Sequence, residues 1–190
     1  SGGKEPWDVN NYLNIWVCNL GSQGSGLLGY ASTPSSFISS NDGVVVGYWN
    51  FGLSGNSPYH KGRTATHEVG HWLNLIHIWG DNNCGDDEVT DTPKQETDND
   101  NCPGYPHNAN SCNTTNSHGD MFMNYMDYTN DACMNLFTNG QKSRMIAAIN
   151  LYRPNLIYNT CSNPTTNIIN LSITNKTLIR IVDILGRETD

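Results

Sequence analysis

The sequence predicts a mixed α/β (α+β) fold, in which a small twisted sheet and one helix precede an irregular region that ends in a second helix. Three observations support this prediction: three β-rich segments before residue 50, helical periodicity from Arg63, and the loss of periodicity over residues 80–119. The chain has 190 residues, which is enough for one principal domain with its own core.

Three segments have the composition of strands. Residues 12–18 alternate apolar and polar side chains, residues 27–31 form a shorter segment, and residues 43–49 are rich in β-branched and aromatic residues. Gly, Asn, Ser and Pro over residues 50–58 end the third segment. We therefore expect a small sheet before residue 50.

Two segments have the periodicity of helices. The first runs from Arg63 to about residue 75, and the second is predicted for residues 141–152, with Pro154 marking its end. The apolar residues at helical spacing in the first segment are Ala65, Val69, Trp72, Leu73 and Leu75.

The six cysteines favour disulfide bonds. No C-x-x-C pair is present, so the usual spacings of zinc fingers and thioredoxins are missing. Disulfides indicate an oxidising compartment outside the cytosol, and they would fix residues 80–119, which form a longer irregular stretch than a compact domain normally contains. Spacing leaves the pairing open, since four cysteines already allow three connectivities.

The charge and hydropathy of the chain exclude two kinds of partner. A formal charge of −8 without a Lys/Arg cluster repels phosphate backbones, which argues against nucleic acid. No apolar run approaches the roughly 20 residues that cross a bilayer, so no membrane span is predicted.

Residues 67–77 carry the pattern of a metal site. On a helix, positions four apart share a face, so His67 and His71 can present two imidazoles to one zinc ion, with Glu68 beside the metal's water. His77 cannot join them on a continuing helix, because six further residues would carry it roughly 9 Å along the axis and about 240° around it. The helix must therefore end before His77, and Asn74 tolerates the left-handed turn that this needs.

Three histidine ligands leave the fourth position of the metal for water or substrate, as in a catalytic zinc site, and Glu68 is then the general base. The alternative is a chance cluster of histidines on or near a core helix. A chance His-Glu-x-x-His is expected in roughly one chain in 200 of this length, and His77 reduces that about thirtyfold. We interpret His60, His107 and His118, which lack such spacing, as surface residues.

Residues 67–77 resemble the extended zinc motif of the metzincin peptidases, and His-Glu-Val-Gly-His-Trp-Leu-Asn-Leu resembles the pappalysin family, especially its cytophagalysin-like members. Residues 86–93, 123–134 and 137–141 are similar to further family segments. The resemblance implies a zincin-like metzincin domain with a cleft between the zinc helix and an irregular lower half. It also implies a secreted zinc endopeptidase that acts on proteins or peptides.

The resemblance assigns further residues to the site. Met126 would form the tight methionine turn beneath the zinc, although core packing alone would also explain it. Tyr128 would stabilise the tetrahedral intermediate as an oxyanion donor, with a core aromatic as the alternative. The substrate would pair in extended form with an edge strand. The residues implied for that edge are Gly26, Leu27, Leu28, Gly29 and Tyr30.

Asp131 is the candidate for substrate specificity. Members of the family prefer Arg or Lys just after the cleaved bond, and a partly desolvated carboxylate at the pocket floor would bind such a side chain. The alternative is that Asp131 only caps or solvates the turn before Cys133.

Disulfides and calcium are also implied by the resemblance. It pairs Cys84 with Cys112 and Cys102 with Cys133, after which Cys18 and Cys161 pair by default. Oxygen ligands on a flexible loop suit calcium, with solvated carboxylates as the alternative. The candidate calcium ligands are Asp86, Asp91 and Thr92, together with Asp81 and Asp87.

The expected organisation has three parts. Residues 1–161 form the catalytic domain, whose N-terminal part is expected to be incomplete because the family usually has a strand, a helix and a strand before residue 12. Residues 162–166 are a linker, and residues 167–190 resemble the start of a truncated sorting domain of type IX secretion. We expect a monomer. The alternative function is an inactive, zinc-stabilised binding or adhesion module, but such a module typically loses its base, and Glu68 is present.

Overall fold

The computed structural model describes residues 5–21, 26–35, 37–53, 58–112 and 117–158. They belong to one unit, Ser1–Tyr158, and a second unit, Asn159–Asp190, lies outside the described residues. Cys161, the linker at 162–166 and the sorting segment at 167–190 therefore stay predictions. None of the helices in the described ranges is long and apolar enough to cross a membrane.

The sheet has three strands in the order β1-β3-β2: β1 (Asn14–Cys18), β2 (Gly29–Ala31) and β3 (Gly43–Gly47). The central strand β3 pairs parallel with β1 and antiparallel with β2. Each strand is shorter than its predicted segment. Residues Tyr48–Asn50 form a 3₁₀ helix instead of continuing β3.

Helix α1 (Arg63–Trp72) packs on this sheet, and together they form the upper half of the domain. Its core is apolar: Val44 and Val46 are fully buried against Trp72. Each buried valine contributes roughly 1.5–3 kcal/mol relative to an exposed one. The indole N–H of Trp72 donates to Asp42 (2.9 Å), which also binds Arg153 (2.7 Å), so the end of the domain is tied to the sheet.

Helix α1 ends three residues earlier than predicted, by a Schellman motif. Asn74 has φ 72°, the left-handed conformation that the sequence required before His77. The N–H of Leu75 donates to the carbonyl of Gly70 (2.9 Å), and the N–H of Asn74 donates to that of His71 (2.9 Å). The predicted break at Asn74 is confirmed.

In the lower half, residues 74–112 and 117–138 contain no named helix or strand, and they precede α2 (Asn139–Tyr152) and the short α3 (Asn155–Tyr158). Helix α2 begins two residues earlier than predicted, because Thr138 and Gln141 form a capping box. The Thr-x-x-Gln spacing was a signal for this start that periodicity alone missed.

Two crossed disulfides join Cys84 to Cys112 and Cys102 to Cys133, the pairs that the resemblance implies. Between them the lower half buries polar side chains. The carboxylate of Asp127 accepts from the backbone N–H (2.7 Å) and the side chain (2.9 Å) of Asn99, from Gln95 (3.1 Å) and from the backbone of Tyr128 (2.8 Å). The irregular chain is therefore fixed by disulfides and a buried hydrogen-bond network.

Candidate metal centre and active site

Three histidines converge on one point at the boundary between the two halves. His67 and His71 lie one turn apart on α1, and the Schellman turn at Asn74 brings His77 back to them. The Nε2 atom of His71 lies 3.1 Å from that of His67 and 3.1 Å from that of His77. In the described part of the chain, this is the only group of three or more His, Cys, Asp or Glu side chains that could hold a metal ion.

The outer nitrogen of each ring has an acceptor. Nδ1 of His67 donates to the carbonyl of Tyr125 (2.7 Å), and Nδ1 of His71 donates to the carbonyl of Leu75 (2.9 Å). Nδ1 of His77 donates to the carboxylate of Asp81. With every Nδ1 carrying the proton, all three Nε2 lone pairs point to the common centre.

This donor set fits zinc. Zn–N bonds of about 2.0–2.1 Å in a tetrahedron place ligand nitrogens roughly 3.3 Å apart, close to the observed separations of 3.1 Å. Burial, and then the neighbouring His71 and His77, lowers the pKa of His67 to about 3, so this ring is neutral, as a ligand must be. The three nitrogens leave one tetrahedral position for a further ligand.

Glu68 directly follows His67 on α1, is buried, and lines the same cavity as the three histidines. Desolvation raises its pKa from 4.5 to about 7. A carboxylate with that pKa can both accept and release a proton near neutral pH. Gly29 makes room for it, since a Cβ on Gly29 would lie 2.9 Å from Cγ of Glu68. Sequence reasoning assigned Gly29 only to the substrate edge and missed this contact.

The turn below the histidines contains Met126 and Tyr128. Met126 is fully buried, and a Cβ on Gly70 of α1 would lie 2.5 Å from its sulfur, so the turn packs directly on the zinc helix. The hydroxyl of Tyr128 lies 3.0 Å from Nε2 of His77. Burial, and then the nearby acids Asp81 and Glu68, raises the pKa of Tyr128 to about 12, so the phenol remains a hydrogen-bond donor.

A cavity of about 820 Å³ contains this centre. Strand β2, an edge of the sheet over the described residues, lines this cavity, as do Tyr128 and Asp131. All five residues predicted for the substrate edge line the cavity, although only Gly29 and Tyr30 are in the strand itself.

Asp131 is 2% exposed, and its Oδ2 accepts from the backbone N–H of Lys61 (2.7 Å) and of Arg63 (3.2 Å). It therefore anchors the start of α1 as well as lining the cavity. The alternative expected for it was a cap of its own turn, whereas the segment it anchors lies about 70 residues away in sequence. Asp100, an exposed acid that sequence reasoning did not single out, lines the same cavity.

The candidate calcium ligands form hydrogen bonds and a salt bridge with other side chains or with one another. Asp86 forms a salt bridge with Lys94, the carboxylate of Asp91 accepts from Thr138 and Gly140 at the start of α2, and the hydroxyl of Thr92 donates to Asp87. The structure brings Asp91 to a helix terminus, not into a ligand set with Asp86.

A third histidine beyond a helix-ending turn and a buried methionine packed beneath the histidines are metzincin features, so the fold and the site define a metzincin-type metallopeptidase domain. Comparison with known sequences gives the family. The chain belongs to Peptidase M43, described as pregnancy-associated plasma protein-A, which matches residues 3–150. The resemblance to pappalysins is thereby confirmed.

Similar proteins are named as metalloproteases. An extracellular metalloprotease of Arthroderma otae is 36% identical over 159 residues, which cover 80% of this chain and 57% of that protein. One of Uncinocarpus reesii is 39% identical over 148 residues, covering 75% of this chain and 50% of that protein. The chain thus spans about half the length of these curated relatives.

Among solved structures, mature mirolysin of Tannerella forsythia in complex with a cleaved peptide is 52% identical, with a TM-score of 0.74. The match covers 82% of this chain and 59% of the mirolysin chain. The metzincin-like fold predicted from the sequence is confirmed by this match.

Proposed function

We propose that this chain is the catalytic portion of an extracellular zinc endopeptidase, with His67, His71 and His77 as the zinc ligands and Glu68 as the general base. The observation that carries the proposal is the convergence of three Nε2 lone pairs beside a buried carboxylate in one open cavity. Membership of a metallopeptidase family supports the same reaction.

Zinc held by the three histidines would polarise the peptide carbonyl and acidify a water molecule. Glu68 would accept a proton from the attacking water and deliver it to the amine that leaves as the C–N bond breaks, because its burial, which raises its pKa, makes both the charged and the neutral carboxyl accessible. Tyr128 donates its hydroxyl hydrogen to the developing oxyanion. The substrate lies extended along β2, whose outer backbone groups provide the pairing edge.

The decisive experiment compares Glu68→Gln with His77→Ala. Glu68→Gln should keep full zinc content and lose at least about a hundredfold in peptide hydrolysis, because only the proton acceptor is removed. His77→Ala should lose zinc and activity together. Substantial hydrolysis by zinc-loaded Glu68→Gln would contradict the base assignment, and a wild-type chain that binds zinc but cleaves no peptide would favour the inactive binding module.

We also propose a preference for Arg or Lys just after the cleaved bond, with Asp131 as the residue that selects it. The buried position of this carboxylate on the cavity wall supports the proposal. Asp131→Asn removes the charge but keeps an oxygen for the N–H groups of Lys61 and Arg63. A peptide library should then show the preference lost and cleavage of other peptides kept, with Asp100→Asn as the matched variant on the same cavity. A preference that disappears in Asp100→Asn instead would move the role to Asp100.

The remaining proposals concern the whole protein. We propose that it is exported, through type IX secretion, because residues 167–190 resemble a sorting domain and similar proteins are named extracellular. A bound structural calcium ion and a monomeric state belong to the same proposal. Calcium-dependent unfolding and sedimentation of the purified chain test these two points.

A further inference from the structure

The three histidines differ in what holds their outer nitrogens. His67 and His71 donate to the backbone carbonyls of Tyr125 and Leu75. Any residue at position 125 or 75 would supply such a carbonyl, whatever its side chain. His77 donates to a side chain, the carboxylate of Asp81. The hydrogen bond at Nδ1 of the third ring therefore depends on the identity of one residue, Asp81.

The backbone fixes His77 less firmly than it fixes His67 and His71. His67 and His71 are fixed by α1, whereas His77 lies beyond the end of the helix on an irregular segment. A turn from His77 to Gly80, closed by the N–H of Gly80 on the carbonyl of His77 (2.8 Å), is followed by Asp81 in the left-handed conformation (φ 56°). This backbone path returns the carboxylate to the ring, while Trp79 stacks on the ring with centroids 4.4 Å apart.

We infer that Asp81 is the positioning residue of the third metal ligand. Its carboxylate accepts the Nδ1 proton of His77, which fixes the tautomer whose Nε2 lone pair faces His67 and His71, and which makes that lone pair a stronger donor. This role differs from the calcium ligand considered from the sequence. The inference rests on the proposed function, since it concerns how these histidines bind zinc.

The conformation of Asp81 decides which substitutions test this role. Alanine would be strained at φ 56°, whereas glycine and asparagine adopt that conformation readily. Asp81→Gly removes the acceptor, and Asp81→Asn keeps an oxygen acceptor without its charge. Glu96→Gln is the matched control, because it neutralises an exposed acid of the same half.

The measurement is the zinc affinity of the purified 190-residue chain, by competition with a chromophoric chelator. Asp81→Gly should bind zinc about 10–100-fold more weakly than the wild type, Asp81→Asn should fall between the two, and Glu96→Gln should bind as the wild type does. Cobalt-loaded Asp81→Gly should also have an altered visible spectrum, which a purely structural role of Asp81 would not produce. The metal-free variants should unfold at the wild-type temperature, because the side chain of Asp81 is 57% exposed.

Wild-type zinc affinity and an unchanged cobalt spectrum in both Asp81 variants would overturn the inference. If Asp81→Gly fails to fold, the affinity of Asp81→Asn decides in the same way. A different result would contradict the proposed function itself: a wild-type chain that takes up no zinc at the three histidines, whatever residue stands at 81.

Discussion

The two halves of the domain differ in how much their interiors rely on polar side chains and disulfides. The upper half buries an apolar cluster of a sheet and a helix, with Val44, Val46 and Trp72 at its centre. The lower half also buries apolar side chains, such as Ile78, Phe122 and Met126, but it buries many polar side chains beside them and is further ordered by disulfides and hydrogen bonds. Its fully or almost fully buried polar residues include Gln95, Asn99, Asp120, Asn124, Asp127, Thr129 and Gln141.

This difference matters because the site takes parts from both halves. The upper half supplies His67, Glu68 and His71, and the lower half supplies His77 and Tyr128. Apolar packing is non-directional and tolerates small shifts, whereas a hydrogen-bond network fixes distances and angles. The hydrogen bonds of the lower half therefore position His77 and Tyr128, which do not lie on a helix.

The largest effect should follow from removing the centre of the polar network. Asp127→Ala leaves four N–H donors, three of them buried, without their acceptor, so we expect a loss of roughly 3–5 kcal/mol in the free energy of unfolding. Val46→Ala in the apolar cluster should cost less, roughly 1–3 kcal/mol. Chemical denaturation of both variants measures the difference. Equal losses, or a larger loss for Val46→Ala, would contradict the contrast between the halves.

Loss of a disulfide should have the next largest effect. The Cys102–Cys133 bond closes a loop with a sequence separation of 31 residues, and its removal in the Cys102→Ser, Cys133→Ser double variant should cost about 2–4 kcal/mol. Proteolysis should then cut the lower half, while the sheet and α1 keep their protection in hydrogen exchange. Loss of protection throughout the domain would mean that the halves unfold as one unit.

The upper half could be predicted well from the sequence, because its order comes from patterns that a sequence displays. Apolar periodicity identified α1, and helix geometry alone required the break that Asn74 makes before His77. The convergence of the three histidines, which could hold a metal ion, was expected from the same geometry. Strand and helix ends were less accurate, since they depend on single backbone hydrogen bonds such as the Schellman pair after Trp72.

The lower half could not be predicted in the same way. Nothing in local composition separates the buried Asn124 and Gln141, which exchange two hydrogen bonds (2.8 and 3.1 Å), from the many exposed amides of this chain. Likewise, the contact of Gly29 with Glu68 and the bonds of Asp131 to the start of α1 depend on tertiary placement. Such contacts join residues far apart in sequence and leave no periodic signal.

A smaller effect, on activity alone, should come from the contact between β2 and α1 within the upper half. A Cβ on Gly29 would lie 2.9 Å from Cγ of Glu68 and 2.9 Å from the carbonyl oxygen of Val45, which the β2–β3 pairing holds in place. Gly29→Ala should therefore displace Glu68 and lower kcat/KM by about 10–100-fold with zinc affinity unchanged. Gly104→Ala, where a Cβ would meet nothing within 4 Å, is the control. Wild-type kinetics for Gly29→Ala would show that Glu68 does not need this close fit.

The smallest effect concerns Asp91, where a hydrogen-bonding role in the lower half competes with the predicted calcium ligand. Its carboxylate accepts from the hydroxyl of Thr138 (2.7 Å) and from the N–H of Gly140 (2.8 Å), so its charge lies at the N-terminus of α2. If Asp91 acts as a helix cap, Asp91→Asn should lower the free energy of unfolding by about 0.5–1 kcal/mol and Thr138→Ala by about 1 kcal/mol. Both losses should be the same with and without calcium. Urea unfolding in calcium and in excess chelator, with Glu96→Gln as control, makes the comparison. A different outcome is that Asp91→Asn destabilises the chain only when calcium is present and abolishes the stabilisation that calcium gives the wild type. Asp91 is then a calcium ligand, and the lower half depends on an ion as well as on its hydrogen bonds.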